Sequence, residues 1–186
     1  MVNTEDIIRT VYKPDSQAFR IIMEHSRCVA DKALGAARNL AHLGPDLVFI
    51  EEAALLHDIG IIRTHAPKIG CHGNLPYVFH GVQGREILEG IGLPGHGLVA
   101  ERHTVAGITK ETILSKGLGL PARDMIPISL EEEIICYADK FFSKTPGKLT
   151  NEKTMEEILD QLSRYGEDQV RTFKQWHERF GYSHGQ

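Results

Sequence analysis

The sequence predicts an all-helical bundle. Apolar positions recur mostly at helical spacing, no stretch keeps a sustained period-two alternation, and capping residues and glycine or proline stops bracket the periodic segments. The 186 residues fit one domain spanning 1–186. A chain of this length buries about 70% of its unfolded surface, enough for a core without disulfide or metal staples. Phe19, Ile22, Ser26, Val29, Ala33, Ala37 and Leu40 mark one face of a long helix that starts near Ser16 and stops at Gly44-Pro45, with His25 on its flank. Asp46 caps a second helix, which carries Ile50, Ala53 and Ala54 inward and ends at the glycine of His57-Asp58-Ile59-Gly60. Residues 61–76 hold Pro67, Gly70, Gly73 and Pro76 without a clean period and read as a loop flanking a site. Two shorter helices follow, about 78–91 and 96–106, parted by Gly92-Leu93-Pro94-Gly95. Residues 107–128 read as a surface excursion with a short helix from Thr109 to Lys116. Ser129 with Glu132, and Thr154 with Glu157, have the spacing of capping boxes. The first opens a helix through Ile134, Ile135, Ala138 and Phe141; the second opens two C-terminal helices, about 154–180, that cover the bundle.

Composition narrows the function. Hydrophobic residues make up 41% and charged residues 25%, and no apolar run approaches the ~20 residues of a membrane span. With Lys+Arg 21 against Asp+Glu 25, the formal net charge of −4 supplies no basic footprint for a polymeric nucleic acid. Cys28, Cys71 and Cys136 lack any CxxC spacing, which argues against a disulfide framework or thiolate zinc site and for a reducing cytoplasm. The N-terminus carries acids and no apolar stretch, so it does not read as a secretory signal. Gly90 to Gly95 matches GxGxxG literally, but it follows a helix and contains Pro94, so a dinucleotide site is not expected.

Of the ten histidines, His57, His65, His72, His80, His96 and His103 crowd into one stretch. His57-Asp58 is the strongest local signal, offering a nitrogen and an oxygen ligand side by side. Neighbours on a helix point about 100° apart, so the two converge on one ion only where the helix terminates. His25, His80, His103 and Asp139 each lie about one helix and a connection away along the chain. Inward side chains of facing helices build metal sites in bundles, so His25, His57, Asp58, His80, His103 and Asp139 are candidates for one cluster. Six such donors suit two ions. A lone histidine on an apolar face is usually only hydrogen-bonded, whereas Asp139 within Ile-Cys-Tyr-Ala-Asp-Lys-Phe-Phe is costly unless metal-bound or paired with a neighbouring arginine. His96, His177 and His184 are expected to face water, His42 beside the Gly44 stop to be a favourable charge at a helix C-terminus, Trp176 and Phe173 to be core or contact residues, and Cys136 to be buried packing.

The ordered set His25, His57-Asp58, His80, His103, Asp139 resembles the HD-domain superfamily of metal-dependent phosphohydrolases, in its HDIG subset, over about residues 16–143. The resemblance implies a helical fold in which His25, His57, Asp58 and Asp139 hold a first metal, and Asp58 bridges to a second held by His80 and His103. The context of His80-Gly81 is similar to that of hydrolases that cleave diadenosine tetraphosphate. The double histidine and GYP signature of cyclic-di-GMP phosphodiesterases is absent. The implied activity is hydrolysis of a small phosphorylated metabolite, a nucleotide or dinucleoside polyphosphate, through a metal-bridging hydroxide positioned by Asp58. Two alternatives stay open: a mixed-valence di-iron oxygenase with the same ligands, and a non-catalytic nucleotide-binding module. A His and Asp shell without thiolate suits iron, manganese, zinc, nickel or cobalt; the resemblance favours iron or manganese.

For the phosphate, Arg63 and Lys68 are the nearest cations in sequence, with Arg102 and Lys140 as weaker candidates; His65 and His72 are candidate general acids. The expected partner is a small phosphorylated molecule, with no membrane and no polymeric nucleic acid. The oligomeric state stays open, a homodimer being one option.

Overall fold

The computed structural model describes residues 2–181 and is helical with one minimal sheet. Helix α1 (Thr4–Val11) is followed by α2 (Gln17–Asn39), whose N-terminus is capped by Ser16 accepting from the Phe19 amide. A 3-10 turn, Ala41–Leu43, closes that run, and Gly44 adopts φ 67°, a left-handed stop that glycine takes without a Cβ clash. Asp46 caps α3 (Leu47–Leu56) by accepting from the Phe49 amide.

The next turn departs from expectation. Gly60 does not end α3: the helix closes at Leu56, and Gly60 lies inside a 3-10 turn, Ile59–Arg63. A Cβ there would sit 2.1 Å from the His80 carbonyl oxygen and 2.2 Å from the Gly84 nitrogen. The glycine serves close approach of two backbones, not a left-handed stop. Tyr12, fully buried at the end of α1, fixes the same turn: its hydroxyl accepts from the Ile62 amide at 3.0 Å and lies 3.2 Å from the Ile59 carbonyl as donor. Tyr12→Phe leaves that amide unpaired and is expected to cost about 1–3 kcal/mol in a urea titration; an unchanged midpoint would mean that packing alone holds the turn.

Residues 61–76 are more ordered than a plain loop. Strands β1 (His65–Ala66) and β2 (Cys71–His72) pair antiparallel, with His65 opposite His72. Helix α4 (His80–Gly90) begins after a 3-10 turn at Tyr77–Phe79, and α5 (Pro94–Arg102) starts earlier than its glycines suggest, because Pro94 occupies the first turn, where no amide is needed. Segment 107–128 is no mere surface excursion. With α6 (Lys110–Ser115), it buries Ile108, Ile113, Leu120 and Met125 against Val78, Phe79 and Val82 as a small core of its own.

Helix α7 (Leu130–Asp139) is capped by Ser129, but the reciprocal half of the expected box is not formed: the Glu132 carboxylate takes the Ile128 amide at 2.7 Å and Arg102 at 2.8 Å. The Thr154–Glu157 box on α8 (Met155–Ser163) is complete. Helix α9 (Glu167–Phe180) then lays Phe173, Trp176 and Phe180 into the core.

Two apolar clusters flank the middle of α2. One gathers Val29, Ala33, Ala37, Ile50, Ile135 and Phe173 from α2, α3, α7 and α9. The other gathers Ile8, Ile22, Leu56, Ile61 and Leu88 from α1, the start of α2, the end of α3, the turn and α4. Each fully buried branched or aromatic side chain contributes about 1.5–3 kcal/mol. The alanines let α2 approach α3 and α7 closely, and His25 falls at the seam between the clusters. Among the described residues no helix is long and apolar enough to cross a membrane.

Candidate metal centre

Five of the six expected donors stand at or just beyond helix ends. His57 and Asp58 follow α3, His80 opens α4, His103 follows α5 and Asp139 closes α7, while His25 projects from inside α2. Asp58, at φ −101° and ψ 8°, has left the helical path, which lets its side chain and that of His57 meet. The structure brings all six together in two sets: His25, His57, Asp58 and Asp139, and then Asp58, His80 and His103, with the donor atoms of each set within 4.8 Å of one another. All six are buried.

Asp58 faces both ways. Its Oδ2 lies 3.0 Å from His57 Nε2 and 3.3 Å from His25 Nε2, while Oδ1 lies 3.4 Å from His103 Nε2 and 3.8 Å from His80 Nε2. Asp139 Oδ1 reaches His25 Nε2 at 3.1 Å and His57 Nε2 at 3.4 Å. The histidines are aimed by backbone: Nδ1 of His57, His80 and His103 contacts the carbonyl three residues earlier (Ala54, Tyr77 and Ala100) at 2.6, 2.7 and 2.8 Å. A carbonyl only accepts, so each Nδ1 carries a proton and each Nε2 turns inward, offering a lone pair whenever its ring is neutral.

That arrangement fits metal ions. Nε2 of His80 and of His103 face each other at 3.2 Å, two lone pairs with no proton between them when both rings are neutral. His57 Nε2 and both Asp58 oxygens are buried without a hydrogen bond of good geometry, although ionic partners lie nearby. Buried polar atoms left in this state are costly, and a cation in each set would satisfy them. An all nitrogen and oxygen shell suits divalent transition metals.

Charge within the cluster follows the same geometry. Burial lowers the His57 pKa, but Asp58 and Asp139 outweigh it and hold it up at about 9. Burial, and then the facing His103, push His80 down to about 3. Burial raises both Asp58 and Asp139; neighbouring His57 and Lys144 for Asp58, and Lys140 and Lys144 for Asp139, reverse that and hold them well below the usual carboxylate range.

A cavity of about 660 Å³ reaches the centre from one side, with His80, His103, Asp139 and Lys144 in its wall. Ile108, Leu118, Phe142 and Leu162 line its apolar part. Tyr77 stacks on His80 with ring centroids 4.7 Å apart, and Thr104 Oγ1 comes within 3.4 Å of His80 Nε2.

The expected phosphate ligands are not in that wall. Arg63 donates to Gln83 and Glu86 on α4, and Lys68 and His65 have exposed side chains. His72 is also exposed. The β1–β2 excursion folds back on itself and against the start of α2: a Cβ at Gly73 would meet the Arg63 carbonyl carbon at 2.1 Å, and one at Gly70 the Ala18 nitrogen at 3.1 Å. Arg102 is paired with Glu132. Lys140 does line the cavity, but its Nζ braces the donors, giving hydrogen bonds to the His103 carbonyl at 2.9 Å and Asp139 at 2.7 Å. Asp139 thus has lysine partners, not an arginine.

Sequence reasoning missed Lys144, whose Nζ lies 2.7 Å from Asp58 Oδ2. No sequence signal marks it; only the path of the chain after α7 brings it back. Among the other histidines, His96 does not face water: it is buried with Nε2 3.3 Å from Glu52 and its ring against Phe49. His177 is half-buried beside the Tyr137 hydroxyl, His42 is exposed, and His184 lies outside the described residues. Burial holds the Cys136 thiol up at about 12, which makes it packing and not a thiolate ligand.

A family model described as HD domain matches residues 22–143. An uncharacterized protein of Methanocaldococcus jannaschii is 39% identical over 127 residues, which is 67% of this chain and 68% of that protein. Two tRNA (cytidine(56)-2'-O)-methyltransferases also match: that of Picrophilus torridus at 32% identity over 76% of this chain, and that of Thermoplasma volcanium at 31% over 66%. The match covers 33% and 32% of those two proteins, so this chain spans about a third of their length. No solved structure matches.

Proposed function

The chain belongs to the HD-domain family, a superfamily of metal-dependent phosphohydrolases, and on that premise we propose that it hydrolyses a small phosphorylated metabolite, a nucleotide or dinucleoside polyphosphate, at a two-metal centre. The observation that carries this reading is the shared carboxylate: Asp58 offers one oxygen to each donor set. His25, His57, Asp58 and Asp139 would hold one cation, and Asp58, His80 and His103 the other. Divalent cations there supply a water nucleophile at neutral pH and neutralise charge on the phosphoryl oxygens. Iron or manganese is preferred, with zinc, nickel and cobalt compatible with the same donors.

The chain's own contribution is orientation and shape. Carbonyls behind three imidazoles fix their direction, and Lys140 ties the end of α5 to the end of α7. The cavity volume of about 660 Å³ lies in the range of small-molecule sites, and its apolar wall would hold the organic part of a nucleotide-sized substrate while its inner end meets the donors. A formal charge of −4 argues against a polymeric nucleic acid as substrate. The methyltransferase activity in the names of two relatives belongs to proteins more than twice as long, and no part of it is assigned to this chain.

Protein purified without chelator is expected to contain about two divalent metals per chain and to release phosphate from a nucleotide panel under argon, with activity surviving exchange of iron for manganese. Turnover that requires dioxygen and vanishes with manganese would replace the hydrolase reading with an oxygenase.

A further inference from the structure

We propose that Lys144 is an exchangeable counter-ion of the centre: it neutralises Asp58 and Asp139 when the donor sets lack cations, and turns into the cavity to hold a phosphate group when they are filled. The proposal rests on the two-metal phosphohydrolase reading for its second half only. Its first half stands on geometry. Lys144 Nζ lies 2.7 Å from Asp58 Oδ2 and 3.5 Å from Asp139 Oδ1, beside the same two oxygens that face His25 and His57. An ammonium there competes for the oxygens a metal ion needs, and two cations sharing them would repel.

The cations at this end of the cavity are not equivalent. Lys140 gives its protons to the His103 carbonyl and Asp139. Lys153 gives its protons to the carbonyls of Lys140 and Phe142, at 3.2 Å each. Both are anchored to backbone. Among the described residues no backbone carbonyl accepts from Lys144, whose partners are the two carboxylates alone. It sits in the non-helical segment after α7, its side chain is 16% exposed, and it forms part of the cavity wall. Rotation of its four-carbon stem therefore moves the charge from the carboxylates toward the cavity without moving the main chain. The cations nearest in sequence to His57-Asp58, Arg63 and Lys68, lie outside the wall, so this lysine is placed to meet a phosphate beside the donors.

The test uses manganous ion and inorganic phosphate as probes on the full chain. Calorimetric titration of Lys144→Met is expected to show manganese bound more tightly than by the wild type, because a competing cation is gone. Phosphate binding to the manganese-loaded variant is expected to weaken about tenfold or more, the loss of one charge-assisted contact, while Lys144→Arg retains most of it. If Lys144→Met does not fold, Lys144→Gln is titrated instead. Manganese binding by the charge-removed variant that is no tighter than the wild type's, or phosphate binding equal to that of the wild type, overturns the proposal and leaves the hydrolase reading standing. Manganese-loaded wild type that binds no phosphate overturns the hydrolase reading and the phosphate-holding role together, while the manganese titration still decides the competition.

Discussion

Asp58→Ala is expected to abolish metal-dependent turnover, lowering kcat/KM at least about a thousandfold, or about 4 kcal/mol of barrier. The size follows from position. One substitution removes a donor from both sets, since Oδ2 belongs with His25 and His57 and Oδ1 with His80 and His103. It also strips the Lys144 ammonium of its nearest counter-charge, and removing one partner from a buried pair costs about 3–5 kcal/mol of stability in the metal-free protein. Asp58→Asn separates the two effects: it keeps shape and one oxygen but no charge, and is expected to lose metal while retaining more of the fold. Metal content by elemental analysis beside the urea midpoint reads both. Turnover unchanged in Asp58→Ala would remove the metal mechanism altogether.

Gly60→Ala is expected to have the largest effect on the fold, destabilising it by about 3 kcal/mol or more. A methyl group at 2.1 Å from the His80 carbonyl oxygen and 2.2 Å from the Gly84 nitrogen meets backbone on both sides, which cannot rotate away. Relief requires the turn Ile59–Arg63 and α4 to separate. Behind α4 there is little room, because a Cβ at Gly81 would meet the Ala100 carbonyl oxygen at 2.8 Å and one at Gly84 the Ala100 Cβ at 3.0 Å. His80 would move with α4, whereas His25 and Asp139 ride on α2 and α7. Loss of metal from the set holding His80 should therefore exceed loss from the set holding His25. A variant with the wild-type urea midpoint and full metal content would show that the turn and α4 are not locked in this way.

The contrast between Gly60 and Thr154 shows what kind of information sequence carries. The Thr154–Glu157 cap is complete as its spacing predicts, because both partners lie within one helical turn. At Ser129 the spacing is the same, yet Glu132 turns to Arg102 and the Ile128 amide, since a long-range ion pair outcompetes the local bond. Gly60 reads as a helix stop from its neighbours, but its reason lies across a contact with α4 that no local pattern records. His96 reads as a surface residue for a similar cause: its acid, Glu52, comes from α3.

The donor set was legible because each side chain is polar within an otherwise apolar helical pattern and falls in an order that a known family shares. Arg63, Lys68 and His65 are near His57-Asp58 along the chain only; the path through β1 and β2 leaves them outside the cavity wall. Lys144, by contrast, has nothing in its own neighbourhood to mark it.

By itself, then, the sequence determined the helical class, the long helix from Ser16, the caps, and which imidazoles and carboxylates stood out as donors; periodicity, capping and the cost of burying polar groups are written into near neighbours. Only the tertiary structure decided that Asp58 faces two sets at once, that Gly60 is a contact and not a stop, and that Lys144 comes back to Asp58, because these depend on which distant backbones touch. Such contacts depend on how whole helices pack, a sum over many weak burials that no single stretch of chain expresses.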